Sequence, residues 1–444
     1  MCNGTIMDKL ISFSIPLMLS GILQLMFNAV DIVVVGRFSG SQALAAVGST
    51  TALINVFTNL FIGISLGANV LAARYYAAGK TKEMSETVHT AIALALVSGV
   101  AMAVIGVVFA RGALEIMGTP DDVIAKSTLY MRIYFCGMPF FMMYNYGAAI
   151  LRAVGDTKRP LIFLIVSGVI NAVLNLFLVI GFHLDVAGVG IATVISQLVS
   201  CILVLRCLHH TESSYQLQLA KLRIRSVYLK QIFEVGVPAG IQSTVINISN
   251  AMLQSSVNSF GSIAMAGYTA ANNIFGFLYV TVNAVTQACM SFTSQNYGVG
   301  KWKRMDRVLI DCLILSFVAM MILGNSAYFF GPKLLTIYTS NSKVIQCGME
   351  ILLYTTVTYF LCGFMDLFPG ALRGMGRSGV PMILSIIGTV GTRIVWIFWI
   401  FPNHRSLDIL FISYPASWII TIVLQVICYY FVRKQLYAKM RAEA

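Results

Sequence analysis

The chain has 444 residues, of which 58% are hydrophobic and only 11% are charged. Soluble globular proteins contain about 25% charged residues, so this composition excludes a soluble enzyme or binding domain and indicates an integral membrane protein. The net charge of +13 would suit nucleic-acid binding only if the basic residues formed one continuous surface.

Apolar segments long enough to cross a bilayer recur along the whole chain, and they predict an all-α integral membrane protein with twelve transmembrane helices. The predicted spans are 10–36, 43–78, 86–110, 123–151, 159–181, 186–208, 230–258, 263–297, 305–330, 344–372, 379–401 and 407–432. Most of the 30 Lys and Arg fall in the termini and in every second connection, which is the positive-inside pattern. Both termini are therefore predicted to be cytoplasmic, and no nucleic-acid partner is expected.

The chain contains an internal duplication. LRAVGDTKRP at 151–160 matches LRGMGRSGVP at 372–381, and the same separation aligns Gly79–Lys80 with Gly300–Lys301. We predict an N-terminal lobe at 1–208, a cytoplasmic linker at 209–229 and a C-terminal lobe at 230–444. Each half has an even number of spans, so both enter the membrane from the same side, as in transporters built from parallel repeats.

The first span contains a carboxylate, Asp31, in an otherwise apolar segment. At helical spacing Gln24, Asn28 and Asp31 fall on one face, and Pro16 is predicted to bend or break the helix before them. An acid within a membrane span costs roughly 2.5–3.5 kcal/mol for insertion, which makes Asp31 a functional candidate. The alternative is that it only hydrogen-bonds neighbouring helices.

Spans 5 and 6 contain polar pairs at helical spacing. Asn171 and Asn175 share one face of span 5, and Thr193 lies in span 6. Together with Asp31 they would provide oxygen ligands for Na⁺, or hydrogen-bond partners for a protonated carboxyl group. Pairing of these side chains with one another is the alternative interpretation.

The second half has a polar stripe on its first helix, formed by Asn247, Asn250 and Gln254, but no acid there. We predict that this stripe lines the substrate cavity; the alternative is that its amides only form hydrogen bonds between helices. Asp366 in span 10 and Arg393 in span 11 are lone opposite charges in neighbouring spans. Because each would be costly alone in the membrane, we predict that they form an ion pair; the alternative is that Asp366 is a second coupling acid.

No enzyme site is predicted from the sequence. The nine cysteines form no CxxC pair, the five histidines show no metal-ligand spacing, and no nucleophile–base set is present. We therefore expect neither catalysis nor a cofactor beyond a coupling ion, H⁺ or Na⁺.

PLMLSGILQLMFNAVDIVVVG, LRAVGDTKRP, NAVLN, ATVISQ, GVPAGIQ and LRGMGRSGVP occur in this order along the chain. In these motifs the chain resembles the multidrug and toxic compound extrusion (MATE) family of bacterial transporters. The resemblance implies twelve helices in two six-helix lobes arranged as a V. It also implies export of amphipathic, often cationic, compounds in exchange for H⁺ or Na⁺.

Pro16, Asp31, Asn171 and Thr193 match the family pattern, whereas Asn175 stands where a second acid is common. The expected protein is a monomeric antiporter of the inner membrane, in contact with the lipid bilayer. A lipid-linked oligosaccharide flippase of the same superfamily is the alternative, although it would need more basic residues than Arg393 in its cavity.

Overall fold

The computed structural model describes residues 1–443, without the side chains of residues 52 and 439–443. Lys439 and Arg441 of the predicted positive-inside pattern thus lie outside the described side chains. In a bilayer every backbone amide must be satisfied within its own segment or a closed barrel, and this chain uses helices. No strand occurs in the described residues, which confirms the predicted all-α class.

The α-helices of the first half are α1 Met7–Phe38, α2 Ser41–Ala77, α3 Thr81–Ile116, α4 Asp121–Cys136, α5 Met138–Ala153, α6 Lys158–Leu176 and α7 Asp185–His209. Those of the second half are α8 Ser226–Asn258, α9 Ser262–Gly298, α10 Trp302–Phe329, α11 Gly331–Thr336, α12 Ser342–Thr356, α13 Tyr359–Gly374, α14 Gly379–Ser385, α15 Thr392–Val395 and α16 Leu407–Glu443. Three π-helical stretches, Phe177–Gly181, Ile386–Gly391 and Trp396–Ile400, follow α6, α14 and α15.

Each predicted span coincides with helical structure. Within residues 1–443, nine helices are long and apolar enough to cross a bilayer, and a tenth span results if α12 and α13, bent by 45°, count as one. The other two predicted spans are the pair α4 and α5 and the long α8, which contains the polar stripe. Pro139 lies in the first turn of α5, where proline is well tolerated, and explains the break before this helix.

The helices form two compact units. The first unit is Leu19–Gly240, and the second unit is Met1–Met18 together with Ile241–Ala444. The divisions therefore fall inside α1 and α8, two residues beyond Pro16 and Pro238, rather than in the linker. The first turns of each repeat's leading helix belong to the unit that contains most of the other repeat.

In the first unit, α2 and α8 touch through glycines. Both helices have glycines four residues apart, at Gly63 and Gly67 and at Gly236 and Gly240. A Cβ atom on Gly63 would lie 2.3 Å from the backbone of Gly240, so the two backbones are in direct contact. Such small-residue pairs let membrane helices approach closely enough for extensive van der Waals packing.

The linker after α7 is docked on the first unit. The backbone N–H of Gln218 donates to Nε2 of His89 at 3.1 Å, and Leu217 is fully buried. Arg223 and Arg225 both pair with Glu86, at 2.5 and 3.2 Å. The linker is therefore attached to the start of α3.

We expect Glu86→Gln to loosen this attachment, because it removes the charge shared by Arg223 and Arg225. Exposed ion pairs contribute about 1 kcal/mol or less, so the protein should stay folded. Limited trypsin digestion should cleave after Arg223 and Arg225 several times faster than in the wild type. Glu83→Gln, in the same helical turn, is the matched control, and equal cleavage of the two variants would contradict the expectation.

Candidate functional site

The first unit contains a buried hydrogen-bonded cluster, here called the Asp31 cluster: Asp31, Asn171, Asn175 and Thr193. Nδ2 of Asn175 donates to the Asp31 carboxylate and lies 3.1 Å from Oδ1 of Asn171. Nδ2 of Asn171 in turn lies 3.5 Å from the Thr193 hydroxyl, which donates to the Val189 carbonyl at 2.9 Å. The structure thus brings α1, α6 and α7 together at the residues that the sequence predicted.

Burial makes this cluster sensitive to charge. Asn175 is fully buried and Asn171 is 5% exposed, while Asp31 is partly buried. Oδ1 of Asn175 is buried and accepts no hydrogen bond from the described residues. A single amide therefore supports the carboxylate, and its own oxygen stays available.

Two tyrosines complete the surroundings of Asp31, and both interact with it electrostatically. They are Tyr130 and Tyr134 on α4, whose ring centroids lie 6.2 Å apart. Neither tyrosine was among the site residues predicted from the sequence. Their i, i+4 spacing puts both on one face of α4, and this spacing could have identified the pair from the sequence.

Gln24 and Asn28 do not join the Asp31 cluster. Both side chains are exposed, and neither has a hydrogen bond within the described part of the chain. Pro16 lies inside α1, which is continuous from Met7 to Phe38, so the proline does not break the helix. Its role as a hinge stays a prediction.

Two oxygens of the Asp31 cluster are occupied by hydrogen bonds. A sodium ion needs several oxygen atoms directed at one point. Here an amide N–H of Asn175 faces the carboxylate, and the Oδ1 of Asn171 lies against that same amide group. Oδ1 of Asp31 and Oδ1 of Asn171 are therefore engaged with the Asn175 amide group rather than converging on a cation.

The second unit contains a buried cation, Arg393, on α15. Its Nη1 donates to Oδ1 of Asn250 at 2.7 Å and to the Ser249 hydroxyl at 3.4 Å. The guanidinium carbon lies 4.8 Å from the centroid of the Tyr414 ring. These residues are named the Arg393 cluster. Asn250 follows Pro238 by the same number of residues by which Asn28 follows Pro16. The Arg393 cluster therefore includes a residue of α8, the helix that corresponds to α1 in the second repeat.

The predicted Asp366–Arg393 ion pair is wrong. Among the described residues no ion pair within 4.0 Å includes either side chain, and the cation that interacts with Asp366 is Arg373. Arg373 lies two turns after Asp366 on the same face of α13, and its Nη2 donates to Oε1 of Gln242 at 2.7 Å. The predicted span 344–372 ends just before Arg373, whereas α13 extends to Gly374 and includes it.

The other two residues of the α8 stripe, Asn247 and Gln254, do not join the Arg393 cluster. Gln254 donates to Asn258 at 2.9 Å along the same helix, and Asn247 is exposed without a hydrogen bond to the described residues. Only Asn250 of the stripe contacts a charged group. In residues 1–443, no set of three or more His, Cys, Asp or Glu side chains could hold a metal ion.

Duplicated bundles of apolar helices with polar clusters inside their spans are the architecture of a secondary transporter. The MatE family model matches residues 16–177 and again residues 238–399. The chain therefore belongs to the MatE family, and the two matches confirm the predicted internal repeat.

Relatives extend over nearly the whole chain. The probable multidrug resistance protein YoeA of Bacillus subtilis is 30% identical over 434 residues, covering 95% of this chain and 93% of YoeA. An FAD transporter of Shewanella oneidensis is 22% identical and covers 85% of this chain and 84% of its own. The solved outward-facing structure of a multidrug resistance MATE transporter, with 20% identity, has a TM-score of 0.90 and covers 99% of this chain and 97% of that one. The fold is thus that of MATE transporters.

Proposed function

We propose that this protein is an antiporter of the bacterial inner membrane that exports amphipathic compounds in exchange for H⁺. The observation that supports the exchange most directly is the Asp31 carboxylate, which lies within the first unit with a single amide donor. Relatives named for multidrug resistance support small-molecule export. We expect a monomer with both termini in the cytoplasm.

The Asn175 amide can serve both protonation states of Asp31. Its N–H donates to the carboxylate, and its buried oxygen has no donor among the described residues. Once Asp31 is protonated, rotation of the Asn175 amide would let its Oδ1 accept a hydrogen bond from the new O–H of Asp31. Neutralising Asp31 also removes the cost of a charge in the membrane, so α1 can bend at Pro16 and release the substrate.

The decisive experiment uses purified protein in proteoliposomes with either an imposed proton gradient or an imposed sodium gradient. Accumulation of a cationic dye driven by the proton gradient alone is the expected result. Transport driven only by sodium would refute the proton assignment. Dye transport whose rate depends on neither gradient, combined with movement of a fluorescent lipid between the two leaflets, would instead support the flippase alternative.

Asn175→Asp should change the coupling rather than abolish it. Two adjacent carboxyl groups hold a shared proton more tightly, because like charges disfavour the second ionisation. The pH of half-maximal transport should therefore rise by about one unit or more. Dye transport measured across a pH series checks this shift. Asn145→Asp, on α5, is the control, and an identical shift in both variants would argue against a specific effect at Asp31.

A further inference from the structure

Arg393 is a buried charge with no acidic partner. The side chain is 3% exposed, and within the described part of the chain no carboxylate oxygen lies within 4.0 Å of it. A charged side chain inside a membrane span is expensive and is retained where it acts on a pathway or ligand. Asn250, Ser249 and Tyr414 lessen the cost without neutralising the charge.

The hydrogen bonds of Arg393 leave one edge of its guanidinium group unused. Nη1 makes both hydrogen bonds, to Asn250 and Ser249. Nε is buried without a partner, and Nη2 makes no hydrogen bond to any residue from 1 to 443. Nε and Nη2 together form the side of the fork that binds a carboxylate or phosphate through two parallel hydrogen bonds.

The neighbours of Arg393 hold this edge in a fixed orientation. Tyr414 lies against the guanidinium face, and its hydroxyl is 2.6 Å from the hydroxyl of Tyr268. A cation over an aromatic ring is stabilised without using any of its N–H donors. The contacts with Asn250, Ser249 and Tyr414 thus position Arg393, while its two-donor edge stays unengaged by the described residues.

Arg393 lies in a part of its span where the helix type changes twice. α15 has only four residues, and π-helical stretches Ile386–Gly391 and Trp396–Ile400 lie on either side of it. π-helical turns within α-helices are frequently found at functional sites. A change of register would rotate the buried guanidinium group without breaking the span.

We propose that the Nε–Nη2 edge of Arg393 binds an oxyanion, a carboxylate or a phosphate, on the transported substrate. This proposal rests on the transport function above and specifies that, among amphipathic compounds, those bearing an oxyanion bind more tightly. The first unit then supplies the acid that exchanges the proton, and the second unit supplies the fixed positive charge. The two roles lie on different clusters and can be separated by mutation.

The test is equilibrium binding to the purified protein in detergent, followed by fluorescence anisotropy. The probes are a rhodamine with a free carboxylate and its ethyl ester, which differ only at the oxyanion. The wild type should bind the free acid about tenfold more tightly than the ester, as expected for a charge-assisted two-point contact. Arg393→Gln should abolish this ratio, and Arg393→Lys should reduce it, because lysine keeps the charge but lacks the planar fork.

Arg405→Gln removes an exposed positive charge from the same unit and should leave the ratio unchanged. A wild type that binds the acid no more tightly than the ester overturns the proposal, as does an Arg393→Gln variant that keeps the ratio. If the preference appears in detergent and is lost when phospholipid is added, a lipid phosphate is the ligand and the substrate assignment is wrong. The binding measurement requires no ion gradient, so its outcome does not depend on whether transport is coupled to protons.

Discussion

Asp31→Asn should reduce proton-driven dye export at least tenfold, which corresponds to about 1.4 kcal/mol. The substitution keeps the size of the side chain and removes the only group of the Asp31 cluster that can bind and release a proton. Asn175 and Asn171 retain hydrogen-bond partners, so the unit should stay folded. Initial rates of dye uptake into inside-out vesicles, normalised to protein content, measure the effect.

Asp122→Asn is the matched control, since this acid is exposed in the first turn of α4 and forms no ion pair with a described residue. It should transport at the wild-type rate. Asp366→Asn provides a second comparison, because Asp366 lies in the second unit, where its carboxylate interacts with Arg373. Export that survives in Asp31→Asn and fails in Asp366→Asn would transfer the coupling role to the second unit.

Gly63→Ala should destabilise the protein by about 3 kcal/mol, near the upper end of the range for overpacked sites. The added methyl group would lie 2.3 Å from the Cα and N atoms of Gly240, and a backbone cannot move aside as a flexible side chain can. The α2–α8 contact would therefore have to separate. Thermal unfolding of the detergent-solubilised protein, with aggregation as the readout, should show a clear loss of stability.

Gly48→Ala is the matched control because it makes the same change on the same helix. Apart from its chain neighbours and the nearby backbone of its own helix, no atom of the described residues lies within 4 Å of the position its Cβ would occupy. Alanine is favoured over glycine in a helix by about 1 kcal/mol, so this variant should be as stable as the wild type or slightly more stable. Equal destabilisation of both variants would show that the effect comes from α2 itself and not from the glycine contact.

Several features of this fold could be predicted from the sequence because they depend on local physics. Hydrophobic length determines the spans, since a bilayer accepts only segments that satisfy their own backbone. Repeated motifs revealed the duplication, which the two family matches confirm. The cost of a charge in the membrane singled out Asp31 and Arg393, and helical spacing brought Asn171, Asn175 and Thr193 toward the first of them.

The partners of these charges depend on how each helix is rotated and packed, which hydropathy does not encode. Arg393 pairs with Asn250 and Tyr414 instead of Asp366, and Asp366 interacts with Arg373 on its own helix. Tyr130 and Tyr134 approach Asp31 only because α4 presents that face to α1.

The division into compact units was likewise decided by tertiary structure. Met1–Met18 belongs with Ile241–Ala444, and the start of α8 belongs with the first unit. In the first unit this assignment depends on Gly63 and Gly240, whose missing side chains allow two helices far apart in sequence to touch. Sequence thus determined which segments enter the membrane and which charges are costly there, whereas side-chain packing between distant helices decided the contacts of each charge.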